Sequence, residues 1–167
     1  MRLSDWRRTD RGQKLLTGKV AAALEPALAG LGALGDPEAY IVWGDDPQTR
    51  YTVMAAADAG LAMVHVRVNV PQEGPRAAGK LIRWHRVTVN DLTAEAHHDH
   101  RYVTIQIEQS ILQGVDAEAD AISDWATHVF ARIDGRVSAD SAATGDGAGD
   151  ESGSDGSKTA RKARSDS

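Results

Sequence analysis

Between Ala39 and Gln109 the chain passes through one strand-like segment after another, separated by turns and never by a helix, and then runs into an amphipathic helix ending at Gly135. Strands joined by short turns pair antiparallel, because a parallel crossover needs a dozen or more residues. The apolar face of such a meander needs a cover, and the segments at its two ends are available to supply one. The expected class is α+β: an antiparallel β-meander of about five or six strands covered by an N-terminal and a C-terminal helix.

The strand signals differ in kind. Ala39 to Trp43 is a short apolar run closed by Gly44-Asp45-Asp46-Pro47, and Tyr51 to Ala55 follows, ending at the turn Asp58-Ala59-Gly60. From Leu61 to Val70 the alternation is clearest: Val64, Val66, Val68 and Val70 share one face, with His65, Arg67 and Asn69 on the other. Pro71 to Gly79 carries two prolines and two glycines and reads as loop. A strand is expected from Lys80 to Val89, and another from Arg101 to Glu108. Thr93 to His97 reads as a further strand, folded back through a turn at His98-Asp99.

The flanking helices are set by period and caps. Leu16, Val20, Leu24, Leu28 and Leu31 recur at helical spacing behind an Asp10…Gln13 capping box. Pro26 predicts an end near Glu25 and a short continuation to Leu34. Asp116 is placed as an N-cap, with Ile122, Trp125, Ala126, Val129 and Ile133 forming the buried stripe and Gly135 ending the helix. Residues 1–9, carrying Arg2, Arg7 and Arg8, are expected as a basic flexible lead-in, and 10–135 as one α+β domain. Residues 136–167 are expected as a disordered Ser/Asp/Gly/Ala-rich tail with a basic end, because Val137 alone cannot offset the ordering entropy.

Composition limits function. A chain of 167 residues with 41% hydrophobic content supports one ordinary core. The absence of cysteine removes disulfides, thiolate metal sites and cysteine nucleophiles. A charged N-terminus and the lack of a long apolar stretch predict a soluble, cytoplasmic protein. A net charge of −5 argues against a dedicated nucleic-acid surface, leaving weak contact through the basic termini as the nucleic-acid reading.

The richest cluster of ligand types is His97-His98-Asp99-His100, with His85 or His65 as a distant addition. Imidazole and carboxylate suit zinc, nickel or copper, so a metal sensor or metal-dependent enzyme holding Zn or Ni is one expectation. In an extended backbone, however, His97 and His98 point to opposite faces, which also fits a polar hairpin tip. Arg83, Trp84 and Arg86 interleave charge with an aromatic ring as a binding strand would, but on a strand Arg83 faces away from the other two. Asp45 and Asp46 suit a turn in which aspartate bonds its own backbone. No glycine-rich phosphate loop opens a helix, and no serine lies in a nucleophile elbow.

In architecture, strands followed by a terminal helix with an inward Trp125 look like a pleckstrin-homology arrangement, and helix, meander, helix resembles the small secretion-chaperone type of α+β fold. The likeness rests on no motif, so it assigns neither a family nor residue roles. A complete fold signal without a catalytic constellation predicts a non-catalytic protein-binding or chaperone-like module, with a protein partner or a homodimer and no membrane contact.

Overall fold

A computed structural model of the protein describes residues 1–43, 49–68 and 72–135. Three helices come first: α1 (Leu3–Arg8), α2 (Asp10–Leu15) and α3 (Gly18–Gly30). The strands are β1 (Ala39–Trp43), β2 (Arg50–Ala57), β3 (Gly60–Arg67), β4 (Arg76–Arg83), β5 (Val89–His97), β6 (His100–Ile107) and β7 (Ser110–Val115), and α4 (Ala117–Ile133) closes the fold. The protein is α+β with antiparallel pairing throughout, in two sheets ordered β1-β2-β3-β4 and β5-β6-β7.

The meander divides where one strand from Lys80 to Val89 is expected. Residues Trp84–Arg86 form a 3-10 turn instead, and the Trp84 indole N–H donates to the Ala57 and Asp58 carbonyls, both at 3.1 Å. Pairing with β3 ends at Arg83, and the chain is redirected into the second sheet. β4 starts inside the segment expected as loop, because Gly79 serves the sheet rather than a turn. A Cβ there would lie 2.7 Å from the Met63 carbonyl oxygen and 2.9 Å from a Leu31 methyl. β7 lies beyond Gln109, where the expected run of strands ends. Asn69, Val70, Asp45 and Asp46, and the expected tail at 136–167, lie outside the described residues.

The first sheet is a middle layer, and its period of two divides the core. Ile41, Tyr51, Val53, Val64 and Val66 face the N-terminal helices and meet Val20, Leu24 and Leu28 of α3. Tyr40, Met54, Leu61 and Met63 face the other way and meet Ile105, Ile107 and Leu112 of the second sheet and Ile122, Trp125 and Val129 of α4. The expected valine face of β3 is correct for Val64 and Val66, which are buried, while His65 and Arg67 are exposed.

The N-terminal helices depart from expectation at three points. Residues 1–9 contain α1, whose Leu3 is buried, so the folded unit takes in that segment. Burying one leucine is worth about 1.5–3 kcal/mol, more than the ~0–1 kcal/mol of an exposed ion pair, so the apolar residues decide and the arginine count does not. The cap is Thr9, whose hydroxyl accepts from Gly12 N at 3.0 Å, rather than Asp10. The helix breaks at Leu16 and Thr17, not at Pro26, which α3 carries through. Ala22 and Pro26 are both exposed, so water can solvate the carbonyl that the proline leaves unpaired.

Candidate functional site

At the outer edge of β1 lies a cleft of about 590 Å³ between α2, β7 and the start of α4. Its walls include Tyr40, Val42 and Trp43 of β1 and Ile111 of β7. Ile111 is 60% exposed, although it stands in a strand whose neighbour Leu112 is buried. The adjacent pair Ile111-Leu112 in a period-two element puts one apolar side chain outside, a signal that the sequence itself carries.

The floor of the cleft is the outer edge of β1. Glu38 O bonds Ala56 N of β2, whereas Ala39 N donates to Met1 O and Ala39 O accepts from the Trp6 indole. Alternation then turns the N–H and C=O of Ile41 and the N–H of Trp43 away from β2. Among the described residues none of these three groups has a hydrogen-bond partner. Ile41 is only 1% exposed, so a partner strand reaches its backbone groups only when the side chains over them move aside. Leaving such groups unpaired is costly, and most buried backbone groups in proteins are paired.

Arg11 crosses the cleft. Its guanidinium lies 5.2 Å from the Trp43 ring centroid and 3.6 Å from the Glu118 carboxylate. Burial pushes the Tyr40 phenol up to about 12, with Glu118 adding to the rise and Arg11 opposing it. The phenol therefore keeps its proton at neutral pH and remains a donor. Among the described residues the cleft offers apolar walls, a hydroxyl and a strand edge.

The histidines serve a hairpin. His97 pairs with His100 in register, and His98 and Asp99 form the two-residue turn with φ of 48° and 66°. Two positive φ values mark the primed turn that matches strand twist, and both His and Asp tolerate that region better than most residues. His100 Nδ1 lies 2.7 Å from Asp116 Oδ2, and Asp116 Oδ1 accepts from Arg101 N at 3.0 Å. Asp116 holds the N-cap position of α4 as expected, but its carboxylate binds the hairpin and leaves the helix uncapped. His65 bonds Thr52 Oγ1 at 2.9 Å on β3, and His85 is exposed in the 3-10 turn. Among the described residues no three His, Cys, Asp or Glu side chains are grouped to hold a metal ion.

Trp84 is half-buried against the core of the second sheet, with Arg83 and Arg86 exposed beside it. Because Trp84 and Arg86 lie in a turn, the strand-face rule applied to them does not hold. Among the described residues no helix is long and apolar enough to cross a membrane. No protein-family model, curated protein or solved structure matches this chain.

Proposed function

We propose that the protein is a non-catalytic protein-binding module that takes an extended, apolar peptide segment into the β1 cleft as an added strand. The observation that supports this is the pair of outward residues Ile41 and Trp43, whose outward backbone groups have no partner among the described residues and lie beneath apolar walls. Strand addition gains affinity from main-chain bonds and selectivity from alternate side-chain pockets. Each new backbone bond is worth about 0.5–1.5 kcal/mol net. Displacing Arg11 loses an exposed ion pair of ~0–1 kcal/mol and an exposed cation–π contact of about 0.5–1 kcal/mol. Three bonds outweigh that loss.

The test is selection from a random 12-residue peptide library, run against the protein and against a blocked variant carrying Ile111→Glu and Ala121→Arg. Both positions are at least partly open in the fold. Enriched sequences with apolar residues at alternate positions, lost on the blocked variant, support the reading. Equal enrichment on both proteins, or none, contradicts it. Sedimentation of a dimer that the same substitutions dissociate would make a second copy the occupant and overturn the peptide version.

A further inference from the structure

The face of the first sheet that turns toward α4 is covered at one end only. At the other end the strand register sets Arg50, Arg67 and Arg76 side by side on β2, β3 and β4. Neighbouring strands are about 4.8 Å apart, so three guanidinium stems rise along a line of roughly 10 Å. The next row on that face holds Thr52 and His65, and the row after it holds Lys80 opposite Met63. All three arginines, His65 and Lys80 are exposed. Arg76 pairs with Glu73 at 3.1 Å, and among the described residues Arg50 and Arg67 have no ion-pair partner.

Like charges directly opposite on paired strands repel, so this row works against the sheet that carries it. Its chain bears a net charge of −5, so the row is a local reversal of sign. It also adjoins the cleft. Val42, in the cleft wall, pairs with Thr52, which makes Arg50 its diagonal neighbour at about 7–8 Å on the same face.

We infer that the segment bound along β1 carries acidic residues at the end lying beyond Trp43, where Arg50 and Arg67 receive its carboxylates. This inference rests on the reading of the cleft as a peptide site. Guanidinium forks match carboxylates in pairs, and a flat, open row suits an extended chain. Single-stranded nucleic acid is a poorer fit, because stacking needs aromatic side chains beside the cations and Trp43 and Tyr51 lie on the opposite face.

The experiment uses a peptide selected on the cleft, resynthesised with Glu-Glu, Gln-Gln or Lys-Lys at either end. Binding is measured to the full chain and to an Arg50→Gln, Arg67→Gln variant whose fold is checked by circular dichroism. The Glu-Glu form should bind roughly tenfold more tightly than the Gln-Gln form from one end only, and the variant or about 0.5 M salt should erase the difference. Ile111→Glu should remove binding of every form. Equal binding of the Glu-Glu and Gln-Gln forms, or preference for Lys-Lys, overturns the inference while leaving the cleft reading intact. An oligothymidylate whose binding requires Arg50 and Arg67 overturns it in favour of phosphate recognition. Failure to select any peptide removes both claims.

Discussion

His100 and Asp116 join the tip of the β5-β6 hairpin to the start of α4, with Nδ1 and Oδ2 2.7 Å apart. The other carboxylate oxygen accepts from Arg101 N, and the Asp116 backbone N–H donates to Arg101 O at 2.8 Å. Asp116 holds this position at a φ of 51°, which a non-glycine residue adopts at some cost. The contact ties His100 to α4, whereas the His97 and His98 rings meet each other, 3.8 Å between centroids. Replacing Asp116 with alanine should therefore lower the melting temperature and speed amide exchange at Arg101, while His98→Asn leaves both unchanged. An equal response to the two substitutions would contradict this account of the hairpin.

Close approach of β3 to β4 depends on Gly60. A Cβ there would stand 2.1 Å from the Ile82 carbonyl oxygen, and that neighbour is backbone that cannot step aside. Gly60→Ala should cost more than about 3 kcal/mol in urea unfolding. Gly30→Ala, at the end of α3 with open space around it, should be neutral or stabilising by up to about 1 kcal/mol. Similar costs at the two sites would contradict the packing described.

Trp125 is 1% exposed and its indole N–H has no partner among the described residues. An orphan donor costs about 1–3 kcal/mol, so the ring is kept for its packing against Tyr40, at 5.9 Å between centroids. Trp125→Ala should cost about 3–5 kcal/mol, whereas Trp125→Phe should cost clearly less, because it removes the orphan together with some area. A phenylalanine variant as unstable as the alanine variant would show that the indole N–H has a partner.

Acid should destabilise the fold in two stages. Burial is the main cause that lowers His128, with Arg132 and Arg2 adding to it and the Glu38 charge opposing. Its contribution is complete above an unfolded pKa near 6.5 and is lost as pH falls toward the lower folded value. Asp36 is held below the ordinary carboxylate value chiefly by the Ser4 hydroxyl, against a smaller opposing effect of burial. Its two oxygens accept from Ser4 Oγ at 2.6 Å and Ser4 N at 2.7 Å, capping α1 from the α3–β1 connection. That contribution is complete above an unfolded value near 3.9 and fades below it. Urea midpoints should thus be flat between about pH 7 and pH 9, fall mildly through pH 6 and fall again below pH 4. His128→Gln should remove the first step and Asp36→Asn should shrink the second.

Much of the architecture was legible because local periods and turn chemistry agreed with tertiary packing. The bounds of β1, the two-residue turn at His98-Asp99 and the buried stripe of α4 follow from neighbours in sequence. The division into two sheets did not, because it depends on Trp84 reaching carbonyls 26 and 27 residues away. Pro26 misled because the helix rule takes no account of which side faces water. The cleft could not be read from a motif, since its key groups are backbone atoms of Ile41 and Trp43. The arginine row was within reach: the turn at Asp58-Ala59, counted outward, pairs Arg50 with Arg67.

The most direct measurement is residue-resolved amide exchange on β1 with and without a selected peptide. Strand addition should slow exchange at Ile41 and Trp43, whose N–H groups point outward, and leave Tyr40 and Val42, already facing β2, unchanged. A peptide that binds tightly without protecting Ile41 and Trp43 would contradict the account of β1 as the docking edge.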